Sequence, residues 1–533
     1  MNRSEGGRGL SGADRAGRPA FDRRAMQSIP EPLLLTAQLA KHAAHYGVKP
    51  AAIDQAGELT YAELWAAIGA AAGGFRDAGV RPGDRVCTAM HPSLAHLVLI
   101  LGCMAAGAVP CPLNIRLTTA EFTRFLEPIA PALIVADPDH RPRIEGLAPK
   151  VVVLDAAEAP RPIAERMQPL WSRSPGWAPL AETDLALIIP TGGTTGVPKG
   201  AISTHRGIYL WLASCALNGG RTARDVELFF SPFFHISIVT GWMATLFSAG
   251  TVRILRAFSV EQSLEAIDRG ATFLMGAPTM FTALRRHPDF PHVDRSSVRV
   301  IAVGSMAITT AFVEEIIEEY PRARLKHGYG ATEFGPVTGM LHEDFLAGRL
   351  IGVGRALQGC RIKIMDEALR EVPAGEIGEL VVSCPWQTIG YWGREEESAA
   401  TFTAEGVRLG DLGAIDAGGW IEIAGRKKEM IISGGENIFP NEVEAVLSRH
   451  PAVRDITVYG VKDDYWGERV EAAVVLQPGA ALTQAELAQF GRSELGGYKL
   501  PKTMRILEAI PLTPNNKPDR RRLSQEAEAP PAP

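Results

Sequence analysis

The sequence predicts an α/β protein with a large N-terminal domain of layered α/β subdomains plus a β-rich subdomain, followed by a small, mobile α+β C-terminal domain. From about residue 31, segments with helical spacing alternate with short apolar runs, a pattern typical of layered α/β architecture. Strand-type segments dominate residues 376–426, and the alternation resumes after residue 440. Because 533 residues exceed what one hydrophobic core normally accommodates, several domains are expected.

The first elements follow from apolar spacing and capping residues. Residues 33–46 have helical spacing, a second helix begins after Thr60 as N-cap, and residues 85–90 have the composition of a strand. The apolar stretch 94–113 is long enough to raise a membrane span as an alternative. Glycines and prolines interrupt it, which favours a buried helix followed by a core strand. These interruptions are Gly102, Gly107, Pro110 and Pro112.

Composition limits the classes of partner and the location. A net charge of −5 and a pI near 6.2 provide no general attraction to nucleic acid or to an anionic membrane. The six cysteines show no paired metal-type spacing, which favours a reduced, cytoplasmic setting. Residues 1–30 are rich in Gly and Arg without an apolar signal segment, so we expect a disordered tail there and a second one over 524–533.

A loop rich in Gly and Thr follows the predicted buried strand over 185–189 and predicts a polyphosphate site. Glycine backbone N–H groups can converge on phosphate oxygens, while threonine hydroxyls and a lysine add donors and charge. A kinase-type phosphate loop is excluded, because Val197 and Pro198 separate its glycine from the lysine. A flexible surface loop is the alternative. The candidate residues are Thr191, Gly192, Gly193, Thr194, Thr195, Gly196 and Lys199.

A second segment, residues 327–335, has the residue types of a nucleotide–metal site. Its glycines, Gly328 and Gly330, permit close approach, and Tyr329 offers a flat face for a purine. Thr332 adds a hydroxyl, and Glu333 a carboxylate suited to Mg²⁺. A turn with a chance acidic residue is the alternative.

A third segment, around Asp411, could hold a ribose. Asp411 follows Gly410 and can accept two hydrogen bonds from a ribose diol, although Asp–Gly turns are also common for structural reasons alone.

The three motifs, in this order and spacing over residues 31–522, resemble the adenylate-forming superfamily of acyl-CoA synthetases, luciferases and peptide-synthetase adenylation domains. The resemblance implies an AMP-binding domain over 31–427 and a lid domain over 428–523 that pivots at the hinge residue Lys428. It also implies that Arg426 contacts the ribose and that Lys517 is the catalytic lysine of the lid. The chain departs from the family pattern at three positions, Leu409, Asn516 and Pro518.

The resemblance further implies where the acid binds. His235, in the aromatic segment 229–237, would form the wall between the acyl pocket and the thiol channel, although core packing explains such a segment equally well. Amino-acid-activating relatives place an Asp there, and residues 234–237 contain none. Because a buried ammonium group without a counter-charge is costly, a simple carboxylic acid is expected. The other implied pocket residues are Gly304, Ser305, Met306 and Ala307.

The function implied is that of an AMP-forming acyl-CoA synthetase using ATP, Mg²⁺ and CoA. Thr332, Glu333, His235 and Lys517 would serve adenylation, with Glu333 as the metal ligand. Gly434 and Gly435 would line a narrow pantetheine tunnel once the lid has rotated. The acid is left open among medium or long fatty acids and aromatic or alicyclic acids, and a homodimer also stays open.

Three alternative functions fit parts of the same sequence pattern. They are a luciferase-like oxygenase, an adenylation enzyme that loads a separate carrier protein, and a catalytically silent binding module. A tethered carrier is excluded because Tyr498 occupies the place where a carrier would need a serine. Polynucleotide ligation is disfavoured because no Lys-x-Asp-Gly nucleophile motif occurs.

Overall fold

The computed structural model describes residues 32–154, 161–191, 198–304, 306, 308–350, 352–463, 465–513 and 517–528. The predicted tail over 1–30 lies outside the described residues. So do most of the predicted phosphate loop, 192–196, and two predicted pocket residues, Ser305 and Ala307.

The first part of the chain alternates helices and short strands. The helix expected over 33–46, the strand over 85–90 and the helix-then-strand pattern over 94–113 are confirmed. Among the described residues, no helix combines the length and the apolar character needed to cross a membrane. The elements are α1 Leu35–His45, β1 Pro50–Asp54, β2 Gly57–Thr60, α2 Tyr61–Asp77, β3 Arg85–Ala89, α3 Leu94–Ala105, β4 Val109–Pro112, α4 Thr119–Ile129, β5 Leu133–Ala136, α5 Arg141–Ile144, β6 Val151–Val153 and α6 Ile163–Arg166.

The middle of the chain begins with a hairpin and continues the alternation. A π-helical turn, Val239–Met243, precedes its second helix. The elements are β7 Leu185–Thr191, β8 Lys199–Thr204, α7 His205–Gly219, β9 Val226–Phe229, α8 Ala244–Phe247, β10 Thr251–Ile254, α9 Val260–Asp268, β11 Phe273–Gly276, α10 Pro278–Arg285, β12 Val300–Val303, α11 Thr310–Glu319, β13 Arg324–His327, β14 Gly330–Ala331, β15 Gly335–Pro336 and β16 Thr338–Gly339.

The last part is richer in strands up to residue 426 and mixed afterwards, as expected. The elements are α12 His342–Leu346, β17 Arg355–Ala356, β18 Arg361–Met365, β19 Gly378–Ser383, α13 Glu395–Thr401, β20 Phe402–Thr403, β21 Gly406–Ile415, β22 Ile421–Arg426, β23 Ile431–Ser433, β24 Glu436–Ile438, α14 Pro440–Leu447, β25 Val453–Asp463, β26 Gly467–Leu476, α15 Gln484–Gly491, β27 Thr503–Ile506 and α16 Arg520–Glu528.

Two mainly parallel sheets form the layers of the large domain. One has the order β4-β3-β5-β6; the other has the order β13-β12-β11-β9-β10-β1-β2, with only β2 antiparallel to its neighbour. Side chains of α2 and α3 share one core with both sheets, α4 and α5 cover the outer face of the smaller sheet, and α9 to α11 cover that of the larger one. The predicted layered α/β architecture is confirmed.

The start of α2 shows how the local sequence sets these elements. The Thr60 side chain accepts a hydrogen bond from the N–H of Glu63, and the Glu63 carboxylate accepts one from the N–H of Thr60 at 2.9 Å. This capping box satisfies backbone donors that the first helical turn leaves unpaired. The N-cap predicted at Thr60 is therefore confirmed.

Two antiparallel units lie beside the layers and bring the predicted motifs together. The β7–β8 hairpin pairs Thr191 with Lys199, the residues on either side of the predicted phosphate loop. The β-rich subdomain has the order β18-β19-β21-β20, with β22 also on β21. The N–H of Ile202 in β8 donates to the Gly390 carbonyl of the β-rich subdomain at 3.0 Å, which joins the two units.

The lid sheet has the order β24-β23-β26-β25, with β27 parallel to β26. The domain boundary predicted at Lys428 falls in the turn between β22 and β23, which belong to different sheets. The boundary itself stays a prediction.

The expected C-terminal tail is wrong for residues 524–528, because they belong to α16. Leu523 of α16 is fully buried against Tyr459, Val461 and Val475 of the lid sheet, with Ala527 packed alongside. Ser524 donates through its hydroxyl to the Gly460 carbonyl at 2.8 Å. The segment is so polar that its two apolar residues, spaced one helical turn apart, gave little signal in the sequence. Residues 529–533 lie outside the described part.

We predict that Leu523→Ala destabilises the lid by about 2–5 kcal/mol, because it removes a fully buried side chain from the sheet. Thermal unfolding measured by calorimetry should show a lower midpoint for the lid transition. Gln525→Ala, an exposed position on the same helix, is the matched control and should leave the midpoint unchanged. Equal unfolding midpoints for Leu523→Ala and the unsubstituted protein would instead indicate that residues 524–528 form a disordered tail.

Candidate active site

The candidate site is centred on Glu333, a buried carboxylate between β14 and β15. It is 5% exposed. The Tyr391 hydroxyl donates to Glu333 Oε1 at 2.7 Å, and the Thr191 hydroxyl approaches the same oxygen at 3.4 Å. Three segments far apart in sequence thus meet at one oxygen atom.

The backbone around Glu333 is held firmly by its neighbours. The N–H and the hydroxyl of Thr388 donate to the Glu333 carbonyl at 2.8 and 3.1 Å, and the Trp386 indole donates to the Phe334 carbonyl at 2.8 Å. Gly335 has φ +64°, and a Cβ there would lie 2.3 Å from the Trp211 ring, so only glycine fits. The carboxylate position is therefore fixed before any ligand binds.

Burial dominates the electrostatics of Glu333. It raises the pKa of this carboxyl, although the Tyr391 hydrogen bond and the positive charges of Arg426 and Lys199 act in the opposite direction. Because the net direction is upward, the negative charge is incompletely compensated by the protein. A hard divalent cation would supply the missing charge, and a carboxylate oxygen is the ligand that Mg²⁺ prefers. Glu333 thus fits the metal-ligand role predicted for it.

The predicted nucleoside residues form a second cluster beside Glu333. Asp411 of β21 and Arg426 of β22 are register partners, and Arg426 Nε donates to Asp411 Oδ1 at 3.0 Å. The Tyr329 hydroxyl donates to Asp411 Oδ2 at 2.5 Å. Tyr329 is flanked by Gly328 and Gly330, whose backbones run against Thr338 and Gly335 respectively. Thr332 lies in the turn that carries Glu333.

Lys199 lies at the base of the predicted phosphate loop and faces the same centre. Its ammonium group forms an ion pair with Glu397 of α13 and lies 4.7 Å from the centroid of the Tyr391 ring. Sequence reasoning missed both partners. Tyr391 belongs to no motif of the sequence, and Glu397 is the last of three consecutive glutamates, where nothing in the sequence distinguishes it.

Lys517 of the lid points into this cleft. The side chain remains accessible to solvent, yet protein atoms crowd it, and this partial burial is the main reason that its pKa is lowered. The charges of Arg426, Asp411, Glu429 and Glu333 also act on it, which places the ammonium group beside the nucleoside cluster. Hydrogen bonds between Thr513 and Lys517, from backbone N–H to carbonyl at 2.8 Å and from N–H to hydroxyl at 3.2 Å, fix the base of its loop.

His235 lies close enough to Lys517 for the lysine charge to act on it. Burial, then the charges of Arg116 and Lys517, lower the pKa of His235 to about 4, so the imidazole is neutral at pH 7. Arg116, which sequence reasoning also missed, lies with its guanidinium 5.8 Å from the centroid of the Phe234 ring. The lid lysine therefore lies near both the nucleoside cluster and the predicted wall of the acyl pocket.

The predicted acyl pocket is partly described. A Cβ added to Gly304, at the end of β12, would meet no atom within 4 Å, so this backbone faces open space. Met306 is 46% exposed. A Cβ on Gly276, at the end of the neighbouring β11, would approach Met280 Sδ at 3.2 Å, and one on Gly241 would approach Met275 Cε at 2.9 Å. The Met275 side chain packs against the core on one side of β11, and the Met280 side chain packs against the core on the other side.

The remaining predicted residues belong to the lid and its hinge. Gly434 and Gly435, in the turn between β23 and β24, have φ of +61° and +85°. The Gly434 N–H donates to the Trp466 carbonyl at 2.8 Å, a contact within the lid. Lys428 is exposed in the turn before β23. The structure thus places Lys517 near the cleft, while Gly434 contacts Trp466 inside the lid.

A different cluster of metal-ligand types, His91, Asp137 and His140, lies at the ends of β3 and β5. The two imidazole rings are stacked, with centroids 4.8 Å apart and planes inclined by 27°. Because imidazole lone pairs lie in the ring planes, such rings do not direct both nitrogens at one ion. His91 Nδ1 instead contacts Asp137 Oδ2 at 3.0 Å. The cluster is better explained as a structural hydrogen-bond network than as a metal site.

Comparisons with known families match both parts of the chain. The model for AMP-binding enzymes matches residues 39–392, and that for the AMP-binding enzyme C-terminal domain matches residues 442–517. A feruloyl-CoA synthase from Amycolatopsis sp is 33% identical over 467 residues, covering 86% of this chain and 92% of that protein. A long-chain-fatty-acid–CoA ligase from Bacillus subtilis is 37% identical over 355 residues, covering 65% of this chain and 62% of that protein.

Solved structures agree with the whole architecture. ATP-bound MatB from Rhodopseudomonas palustris superposes with a TM-score of 0.86 at 29% identity, covering 93% of this chain and 99% of that one. The o-succinylbenzoate CoA synthetase MenE from Bacillus subtilis, in complex with ATP and a magnesium ion, gives a TM-score of 0.81 at 28% identity, covering 91% and 98%.

We predict that His235 stays neutral down to a pH near 4, because burial and two neighbouring cations oppose its protonation. Histidine-labelled NMR, with the signal assigned through His235→Asn, measures this directly. The sign follows from linkage: the unfolded chain binds this proton near pH 6.5, so the contribution of His235 to stability is complete above that pH and is lost as the pH falls toward about 4. A midpoint near 6.5 in the folded protein would contradict the assignment.

Proposed function

The chain belongs to the AMP-binding enzyme family, and from this premise we propose that it is an AMP-forming acyl-CoA synthetase whose reactions take place in the cleft between Glu333, Asp411 and Lys517. The observation that carries the proposal is this convergence: the lid lysine reaches the same cleft as the buried carboxylate and the ribose-type acceptor. The named relatives are mainly CoA ligases, which favours this function over a luciferase-like oxygenase. One relative is a fatty acid–[acyl-carrier-protein] ligase, so loading of a carrier protein is the second candidate.

The reaction has two steps at one acyl site. In the first, a carboxylate oxygen of the acid attacks the α-phosphorus of ATP and pyrophosphate leaves, which gives an acyl-adenylate. In the second, the thiol of CoA attacks the acyl carbon, the bond to AMP breaks, and the thiol proton is lost to solvent or to a nearby base. Both steps pass through states in which negative charge gathers on oxygen atoms, so fixed positive charge in the cleft accelerates them.

The residues of the cleft suit these charges. Lys517 can place its ammonium group between nucleotide and acid, and Lys199 can reach the outer phosphates from the start of β8. Asp411 and Arg426 can hold the ribose, with Tyr329 beside the purine. Glu333 would hold Mg²⁺, which when bound neutralises phosphate charge. The neutral imidazole of His235 can border both the acid and the thiol without adding charge.

The substrate class follows from the pocket wall. Residues 234–237 provide no carboxylate for an ammonium group, and the Met275 side chain lies beside Gly241, shortly after that segment. Methionine side chains adapt to ligand shape and favour apolar groups. We therefore propose an apolar acid, either a medium or long fatty acid or an aromatic or alicyclic one. The relatives include feruloyl-CoA synthase, long-chain fatty acid ligases and a ligase for an indane-type propanoate, which supports this range.

The lid would exchange roles between the two steps by rotating at Lys428. With Lys517 directed at the cleft, the described arrangement suits adenylation. Rotation would withdraw Lys517 and bring the Gly434–Gly435 turn to the acid, where its positive φ angles and missing side chains leave room for pantetheine.

ATP–pyrophosphate exchange with a panel of acids, followed by thioester formation with CoA, tests the proposed function. Exchange that depends on an apolar acid, with CoA thioester as final product, is expected. Exchange followed by transfer only to a carrier protein would favour the second candidate. A complete lack of exchange across fatty, aromatic and alicyclic acids would leave only a silent binding module.

We predict that Lys517→Ala slows adenylation by at least about 3–4 kcal/mol, the usual cost of losing a positioned charge donor. Thioester formation from supplied acyl-adenylate should largely survive, because Lys517 serves only the first step. Lys462→Ala, an exposed lid lysine on β25, is the control and should change neither rate. Equal loss of both half-reactions in Lys517→Ala would refute the division of roles.

We predict that Glu397→Gln lowers the KM for ATP about fivefold, which corresponds to about 1 kcal/mol. The Glu397 carboxylate neutralises Lys199 and adds negative charge near the predicted triphosphate, so its removal should favour nucleotide binding with little change in kcat. Glu396→Gln removes the same charge from an exposed neighbour and serves as the matched control. A KM that is higher, or equally lowered in both variants, would show that Glu397 does not restrain Lys199.

A further inference from the structure

Cys360 and Cys384 face each other at the end of two paired strands. β18 and β19 are antiparallel, with Arg361 opposite Ser383. Cys360 directly precedes Arg361 and Cys384 directly follows Ser383, so the two cysteines are the next residues outward on facing strands. Cross-strand neighbours of this kind have side chains within contact distance.

The two thiols act on each other's ionisation. The neighbouring Cys384 raises the pKa of Cys360, and the neighbouring Cys360 lowers the pKa of Cys384. Cys384 is 6% exposed, whereas Cys360 is half-buried and reachable from solvent. The other four cysteines, Cys87, Cys103, Cys111 and Cys215, are buried.

The pair is attached directly to the segment that carries the buried carboxylate. Cys384 Sγ contacts the Phe334 carbonyl at 3.8 Å as a donor, next to Glu333. On the Cys360 side, the Leu357 N–H at the start of the same turn donates to the Val337 carbonyl at 2.9 Å. Cys384 thus contacts the first residue of the segment 334–337, and the turn that holds Cys360 is hydrogen-bonded to the last residue of that segment. A covalent bond between the two cysteines would therefore affect the backbone next to Glu333.

We propose that Cys360 and Cys384 form a reversible intramolecular disulfide when the protein meets a peroxide. One of the two thiols, as its thiolate, attacks one oxygen of hydrogen peroxide; the O–O bond breaks, water leaves with the thiol proton, and a sulfenic acid remains on that sulfur. The second Sγ then attacks that sulfur, the S–O bond breaks, and the second thiol proton leaves with a second water. Two thiols are oxidised by two electrons in total, and the peroxide is reduced to two waters.

The disulfide removes the S–H group that Cys384 offers to the Phe334 carbonyl and ties the strand to the turn. This consequence rests on the proposed function, because it concerns the rate at which Glu333 supports adenylation. We expect oxidation to slow acid-dependent ATP–pyrophosphate exchange about twofold to fivefold, which is the effect of losing one weak hydrogen bond from a positioning segment. Reduction with dithiothreitol should restore the rate.

The test treats the full-length protein with hydrogen peroxide, removes the excess with catalase, alkylates the remaining thiols and maps the peptides by mass spectrometry. The expected result is a peptide cross-link between Cys360 and Cys384, lost in Cys360→Ser and in Cys384→Ser and retained in Cys215→Ser. A mixed disulfide, or over-oxidation of Cys360 without the cross-link, would overturn the proposal.

The peptide map alone tests whether the disulfide forms. The rate of ATP–pyrophosphate exchange tests whether the disulfide affects adenylation. If the reduced protein shows no exchange while the cross-link forms, the proposed function fails and the disulfide stands. If the cross-link forms and exchange is unchanged in the oxidised protein, the link to Glu333 is refuted. Cys360→Ser should keep the reduced activity and resist peroxide, which separates oxidation of this pair from damage elsewhere.

Discussion

The burial of the Glu333 carboxylate is the constraint on which the site depends. A negative charge withdrawn from water is costly unless it is hydrogen-bonded and compensated. The chain provides the hydrogen bonds through Tyr391 and Thr191, but the raised pKa of Glu333 shows that compensation is incomplete. A site arranged in this way favours the binding of positively charged groups. The metal ion of a metal–nucleotide complex and the lid lysine would supply that charge.

The fold provides this constraint by joining three structural units at one point. The β7–β8 hairpin contributes Thr191, the segment after β13 contributes Glu333, and the β-rich subdomain contributes Tyr391 and Asp411. Lys517 comes from a fourth unit, the lid. Its carbonyl accepts a hydrogen bond from the N–H of Thr513. Since no single unit contains the whole cleft, a change in lid position can alter its chemistry without disturbing Glu333 or the nucleoside cluster.

Local sequence patterns were sufficient for most elements and for the motifs. The capping box at Thr60, the apolar run of α3 and the Gly-rich segment around Glu333 each encode their own structure. Contacts between distant segments were not encoded in this way: Tyr391 on Glu333, Glu397 on Lys199 and Arg116 beside Phe234 depend on how the subdomains pack. The helix α16 was missed for a related reason, since Leu523 is buried by distant residues of β25 and β26 and by Ile510.

The central claim is that Glu333 is a metal ligand for adenylation, and metal affinity tests it most directly. Mn²⁺ in place of Mg²⁺ can be titrated by electron paramagnetic resonance in the presence of a non-hydrolysable ATP analogue. The account predicts at least about tenfold weaker Mn²⁺ binding for Glu333→Gln. It also predicts, for the unsubstituted protein, weaker binding as the pH falls and the carboxyl with its raised pKa takes up a proton. An affinity unchanged by the substitution would contradict the account.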